Sequence, residues 1–369
     1  MKVMTYKHEL INALAIAGKT LGKSTPNSLL ECFKLSVKEN VMTIESTTLE
    51  EGTIANLPVS GEDGSICVEG RLFSEIIKKL PDDGGMVLIE SKPTNAITID
   101  VGAVHFDIKG INAADFPVIP VSKEGGINIE GSKFKSLISR SSYALATIDN
   151  VPTLLGINLK IEDTVIKTIS LDGYRFAMGI ETQETAQEEK MDIVVSGKIL
   201  SSMVKNIKDE MIYISFDDHN FYLQTESFKH YCRLIEGKFI DVDAIMPTDD
   251  PTVQIQNLDR NTLLQSIERS CIMNNGGKDR LNFEITDTTM VIRTENDMGN
   301  SNEVIEISNG KKLKEPFKIS FNGRYMIDLL KYYPEEHINM NMTTSVGPML
   351  VTSETKQDVS LVLPIRVNA

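Results

Sequence analysis

A short segment recurs three times along the chain: VEGRLFSEIIKKLP at 68–81, VSGKILSSMVKNIK at 195–208 and FNGRYMIDLLKYYP at 321–334. Its glycines, Gly70, Gly197 and Gly323, are spaced by close to one third of the 369 residues. The chain is therefore three tandem modules. Pro, Gly and charge replace periodicity near 120–128 and 246–253, which divides the chain into modules 1–122, 123–248 and 249–369.

Counted from each glycine, apolar residues recur on one side of a helix turning about 100° per residue. They are Leu72, Phe73, Ile76, Ile77 and Leu80 in the first copy. The second has Ile199, Leu200, Met203, Val204 and Ile207, and the third Tyr325, Met326, Leu329, Leu330 and Tyr333. Two positions, two turns apart, point away from that side, and they hold Arg71 and Lys78, Lys198 and Lys205, Arg324 and Lys331. All are basic, although Lys and Arg are only 38 of 369 residues. One such helix would be an ordinary solvated surface; three matched ones point to a single long polyanion meeting every module.

The overall charge runs the other way, at −14 with a pI near 5.0. Both facts hold together if the cations gather on one surface and the carboxylates face elsewhere, repelling non-specific contact with nucleic acid.

A second helix opens each module: HELINALAIAGKTLGK from His8, SKFKSLISRSSYALAT from Ser132 and NTLLQSIERSCIMNN from Asn261. Ser132 and Asn261 are expected as N-caps. Lys19, Lys23, Lys133, Lys135, Arg140 and Arg269 could extend the basic surface. Short alternating or β-branched runs such as VMTIEST, NAITIDVG, HFDIKGI, VIKTISL, MIYISFDD and VSLVLPIRV surround these helices and read as strands. Each third is thus an α+β module of two helices packed on antiparallel sheet. The acidic stretch at 181–190 reads as a solvated loop.

Composition and motifs exclude several classes. No apolar run approaches the roughly 18 residues of a membrane span, and the N-terminus does not read as a signal peptide, so a cytoplasmic protein is expected. Cys32, Cys67, Cys232 and Cys271 are isolated and read as free thiols. His8, His105, His219, His230 and His337 fall at no ligand or triad spacing, and no phosphate-binding glycine loop or nucleophile elbow is present. The expectation is a non-enzyme without metal or cofactor.

Four further anchors stand in order along the chain: NAADFPVIP at 112–120, SLDGYRFA at 170–177, EGKFIDVDAIMP at 236–247 and LVLPIRV at 361–367. With the triplication they make the whole chain resemble the bacterial sliding clamp family, the beta subunit of DNA polymerase III. That resemblance implies the DNA clamp fold, with three tandem repeats of a two-helix plus antiparallel-sheet domain, closed as a head-to-tail dimeric ring. It implies a processivity factor that encircles duplex DNA without reading sequence. The implied partners are a second copy of the chain, the DNA polymerase III alpha subunit, the clamp loader and other proteins carrying clamp-binding motifs. The alternative is a monomeric scaffold of the same fold that binds protein partners only.

The resemblance assigns the duplex to Arg71, Lys78, Lys198, Lys205, Arg324 and Lys331, with Lys23 as a further candidate. Matching motif to motif, a peptide-binding pocket would use Leu154, Gly173, Tyr174, Arg175, Phe176, Ile240, Ile245, Pro348, Val362, Leu363, Pro364, Ile365 and Arg366. The dimer interface would use Phe106, Ile108, Ile272 and Met273. Phe106 and Ile108 alternate with polar residues, so one face of their strand is apolar, toward either a core or a neighbour. Departures from the family pattern concentrate at the pocket: the common T-D-G-H-R-L reads Leu171-Asp172-Gly173-Tyr174-Arg175-Phe176, a frequent proline is Ile240, and a frequently basic position is Ala244. An early L-P-I-L is replaced by Asn27-Ser28-Leu29-Leu30. A divergent clamp with altered peptide preference is expected.

Overall fold

Each copy of the repeated segment forms a helix that starts at its glycine. The computed structural model describes residues 1–23, 26–82, 84–122, 125–148, 150–184, 190–273, 280–355 and 358–366. Parts of the expected first linker (123 and 124), the acidic stretch (185–189), the third opening helix (274 and 275) and the final anchor (367) lie outside the described residues. Six α-helices occur among the described residues: α1 Lys7–Ala17, α2 Gly70–Lys79, α3 Gly131–Ser142, α4 Gly197–Met203, α5 Arg260–Ile272 and α6 Gly323–Tyr332. None is long and apolar enough to cross a membrane.

The glycine at the head of α2, α4 and α6 has a packing reason. All three are buried, and a Cβ would run into Leu21 at Gly70, Leu145 at Gly197 and Cys271 at Gly323. Those three residues follow or end the opening helix of their own module, so the missing side chain lets each repeated helix start against the end of that segment, and α1 packs on α2 and α5 on α6. The residue just before each glycine caps the new helix. Glu69 accepts from the amides of Arg71 and Leu72 at 3.2 and 2.6 Å, Ser196 from Ile199 at 3.5 Å, and Asn322 from Arg324 and Tyr325 at 2.9 and 3.4 Å.

The expected caps of the opening helices are corrected. Ser132 and Asn261 already lie within α3 and α5, and Asp259 caps α5, accepting from the Thr262 amide at 2.5 Å. Hydrogen bonds from Thr262, its side chain first and then this amide, hold the Asp259 carboxyl below its ordinary value. The first opening helix is also shorter than expected, passing into a 3-10 turn at Gly18–Thr20. On the repeated helices the apolar side is buried as expected except at Leu72, which is 46% exposed, and at the half-buried Ile199 and Tyr325.

The chain folds as two compact units, 1–132 with 202–234, and 133–201 with 235–369. The first contains a thirteen-stranded antiparallel sheet. Its continuity depends on Phe228–Arg233 pairing with Glu51–Pro58, with Phe228 opposite Ala55 and Cys232 opposite Glu51. α1 packs on Glu51–Pro58 and against α2, and buries Leu10, Ala13, Leu14 and Ala17. Each large side chain removed from water there contributes about 1.5–3 kcal/mol.

The second unit holds an eight-stranded and a four-stranded sheet. In the larger one Arg175–Thr182 pairs with Val359–Val362, placing Arg175 opposite Val362 and Phe176 opposite Leu361. The four-stranded sheet runs Gly299–Glu306, Thr289–Asn296, Arg280–Ile285, Phe317–Asn322, and α5 and α6 pack together on the third-module core. The second sequence module is shared between the units because both of its sheets continue into a neighbour's strands. None of the four cysteines is in a disulfide, and burial pushes the thiols of Cys32 and Cys67 up to about 11 and about 12.

Candidate nucleic-acid interface and peptide groove

Arg71, Lys78, Lys198, Lys205, Arg324 and Lys331 are all exposed, on the side of their helices opposite the buried residues. Arg71, Lys198 and Arg324 each occupy the second residue of their helix. The partial positive charge of a helix N-terminus disfavours a cation there by about 0.3–1 kcal/mol. Repeating that choice three times works against stability and with anion binding. Lys78 and Lys331 lie in last turns, where the dipole favours them, and Lys331 also reaches Glu268 at 2.9 Å. Lys205 lies in the 3-10 turn Val204–Asn206 that continues α4, and Lys23 is exposed.

In the first unit the Lys19 ammonium donates to the Ser202 carbonyl at 3.2 Å and to Asn206 Oδ1 at 2.6 Å. Burial, and then the charge of Lys205, holds it below its ordinary value. Lys19 thus braces the segment that carries Lys205. Two other candidate extensions of the basic surface are corrected. Arg140 gives Nη1 to both Asp358 oxygens at 2.9 and 2.8 Å and Nη2 to Glu181 at 3.0 Å, while Arg269 binds Glu303 at 2.9 and 2.6 Å. These guanidinium groups are engaged with carboxylates far away in sequence.

The pocket candidates lie in the second unit and divide into floor and rim. Leu154, Phe176 and Val362 are core residues; Leu154 and Phe176 share a buried cluster with Leu171, Phe239 and Leu361. Val242 and Met246 pack on that cluster, so the segment carrying Ile240 and Ile245 lies over it. Tyr174, Ile240, Ile245 and Leu363 remain 62, 38, 37 and 43% exposed. Pro348, Pro364 and Ile365 are half-buried and Arg366 is exposed. Gly173 has φ +85°, a left-handed turn that glycine adopts without strain, and it turns Tyr174 outward.

Arg175 fixes this region. Its Nε donates to Asp172 Oδ2 at 2.9 Å, its Nη1 to Asp328 Oδ2 at 2.6 Å, and its guanidinium lies 4.5 Å from the Tyr325 ring centre. The Tyr174 ring is 6.3 Å from that of Tyr325. Sequence reasoning missed Tyr325 and Asp328, because periodicity counted Tyr325 among the buried positions of α6. Beyond the strand ending at Val362 the chain runs as an irregular strap. There the Leu363 amide donates to the Tyr174 carbonyl and the Ile365 amide to that of Ser320, both at 2.8 Å.

At the interface candidates, Phe106 and Ile108 are half-buried opposite the buried Ile99 and Ile97, while Ile272 is 72% exposed and Met273 half-buried. The strand Val104–Ile111 pairs through residues 104–109 on one side, and on the other only through Gly110 and Ile111. Gly299–Glu306 is an edge of the four-stranded sheet. Each unit therefore carries an open strand edge. Asp259, Glu336 and His337 also come within 4.8 Å of one another, a grouping no sequence spacing announces. Asp259 is already the α5 cap, and His337 Nδ1 lies 3.3 Å from Glu354.

Comparison with known proteins places the chain. The profiles of the N-terminal, central and C-terminal domains of the DNA polymerase III beta subunit match residues 1–120, 128–241 and 243–366. The chain belongs to the DNA polymerase III beta subunit family. It is 25% identical to the beta sliding clamp of Bacillus subtilis, over 99% of this chain and 100% of that protein. The Staphylococcus epidermidis beta sliding clamp is 27% identical with the same coverage. In fold it matches the Bacillus subtilis sliding clamp structure at a TM-score of 0.93 and 23% identity, and a Pseudomonas aeruginosa clamp bound to griselimycin at 0.92 and 21%, each over 100% of both chains. The clamp fold that the resemblance implied, three tandem repeats of two helices with antiparallel sheet, is the fold these comparisons match.

Proposed function

We propose that this chain is a DNA sliding clamp that acts in the cytoplasm without catalysis. It would hold duplex DNA by enclosure and tether polymerase, clamp loader and repair proteins through a peptide groove. The observation that carries the reading is the matched trio Arg71, Lys198 and Arg324, cations kept at helix N-termini against the dipole. Together with Lys78, Lys205 and Lys331, and with Lys23, they would meet phosphates. Backbone contacts carry no sequence information, and exposed lysines and arginines exchange partners readily, so such contacts would slide. The domain boundaries would be 1–122, 123–248 and 249–369.

Enclosure requires closure. The open edge of Val104–Ile111 in one copy and of Gly299–Glu306 in another would pair head to tail, with Phe106, Ile108, Ile272 and Met273 covered. The 72% exposure of Ile272 supports this, since a large aliphatic side chain gains by being covered. The groove would be formed by Tyr174, Ile240, Ile245 and Leu363 over the floor of Leu154, Phe176 and Val362, with Gly173, Pro348, Pro364, Ile365 and Arg366 shaping its ends and Arg175 bracing it. An apolar groove with few fixed polar groups suits a peptide with hydrophobic anchors.

The test is loader-dependent retention on nicked circular plasmid, before and after linearisation, at salt that screens phosphate contacts. Retention on the circle that is lost on cutting is expected. A monomer that binds peptides but is never retained on circles, with a loader proven compatible, would replace the clamp by a protein-only scaffold.

A further inference from the structure

The outer face of the four-stranded sheet carries a cleft of about 600 Å³. Its floor follows from strand alternation: Leu281, Phe283 and Ile285 point into the core, so Arg280 and Asn282 face outward. Across the ladder Ser320 and Arg293 stand opposite Asn282, and Lys318 opposite Glu284. The strap supplies one wall through Ile365 and Arg366.

Four cations therefore line the cleft against one carboxylate, on a chain of net charge −14. That carboxylate is taken, since Glu284 receives Arg293 Nη1 at 2.7 Å. Arg280 Nε donates to Asn282 Oδ1 at 3.0 Å, and Asn282 also accepts from Ser320 at 2.8 Å. Among the described residues no carboxylate lies within ion-pair distance of Arg280, Lys318 or Arg366. The cleft is thus a concave site with surplus positive charge, and its Arg280 fork suits carboxylate oxygens.

The strap joins this cleft to the peptide groove. Leu363 is held on Tyr174 at the groove, and Ile365, two residues on, is held on Ser320 at the cleft. A peptide anchored at the first reaches the second within a few extended residues. We propose that the cleft recognises carboxylates of the bound peptide, so that partners of this chain carry a short run of Asp or Glu beside their apolar anchors. The inference rests on the peptide-groove reading and gives it a specificity.

The test is display selection of random dodecapeptides on the full chain and on a variant carrying Arg280→Gln and Lys318→Glu. The wild type should enrich sequences with an apolar core flanked on one side by acids, and the variant the same core without them. Resynthesised peptides with Glu or Gln flanks should differ about 3- to 10-fold in anisotropy titrations at low salt, and the difference should vanish in the variant. A Lys-flanked peptide should bind the variant more tightly than the wild type, which a misfolded variant could not reproduce. Apolar cores with no acidic bias would overturn the inference and leave the groove standing. Failure to enrich any peptide would overturn both. Binding of oligo(dT) lost in the variant, without acidic bias, would give the cleft to nucleic acid instead.

Discussion

The Arg175 guanidinium lies 4.5 Å from the centre of the Tyr325 ring while its Nη1 donates to Asp328, three residues further along α6, at 2.6 Å. One residue at the start of a second-module strand is thereby tied to the third-module helix that also carries Arg324 and Lys331. The side chain is only 12% exposed, and its partner Asp172 is equally covered. Arg175→Ala leaves a largely covered carboxylate unpaired and should cost about 2–4 kcal/mol of unfolding free energy. Arg175→Lys should recover little of it, because an ammonium cannot both fork between two carboxylates and stack on a ring. Urea denaturation of both variants checks this; an Arg175→Lys protein as stable as wild type would show that charge alone suffices.

Lys198 stands at the second residue of α4, near no acidic cap, since Ser196 serves the first turn. Lys198→Glu places an anion where the helix dipole favours one, so stability should rise by a few tenths to about 1 kcal/mol. DNA binding should move oppositely, with the salt slope shallower by about 0.9 for each phosphate the variant no longer neutralises. Fluorescence titration against duplex DNA at several salt concentrations, alongside melting curves, separates the two effects. A variant that loses stability and DNA affinity together would mark Lys198 as a structural residue.

The triplicated modules were readable in the sequence because their signal is local: a glycine, a 3.6-residue period and two basic positions fixed by it. The strands were readable for the same reason, since alternation is a property of neighbours. What escaped was decided by contacts distant in sequence. Arg140 and Arg269 looked like surface cations until Asp358, Glu181 and Glu303 were folded against them. Tyr325 fits the buried period of α6, yet the Arg175 strand meets it at the helix margin. The capping of α5 by Asp259 depends on where the preceding strand ends, which residue pattern alone leaves ambiguous by a residue or two. Leu154 and Phe176 are floor residues and Tyr174 a rim residue, a division that motif matching does not make.

The glycine heading α6 makes the packing account testable. A Cβ at Gly323 would collide with Cys271 and stand 3.0 Å from Leu281. Gly323→Ala should therefore cost about 1–3 kcal/mol despite the better helix propensity of alanine. In a Cys271→Ala background the collision is largely removed, and the cost should fall by at least about 1 kcal/mol. Equal costs in both backgrounds would place the strain at Leu281.

Ile272 ends α5 with 72% of its surface in contact with solvent. Ile272→Asp should leave the fold intact to within about 0.5 kcal/mol, because the side chain is not part of the buried core. Under the proposed ring closure it buries a charge in an apolar contact, so sedimentation should show the species falling from twice 41.0 kDa to 41.0 kDa. Circle retention should be lost with it. A variant that stays dimeric would move the interface away from α5.

His230 sits fully inside the first unit, its Nδ1 2.8 Å from Thr53 Oγ1 and its Nε2 3.7 Å from Glu51. Burial, and then the charge of Lys19, lowers its pKa to about 3. In the unfolded chain the ring titrates at about 6.5. Between those two values the unfolded state takes up a proton that the native state refuses, so the stability this neutral ring allows is present above about pH 6.5 and lost as pH falls toward 3. The loss approaches about 1.4 kcal/mol per pH unit for this one group. His230→Gln cannot take up that proton, so its decline between pH 7 and pH 5 should be smaller than the wild type's by about 2 kcal/mol, read from urea midpoints at each pH. Parallel declines would mean that the ring is charged in the native protein, with the Glu51 carboxylate outweighing its burial.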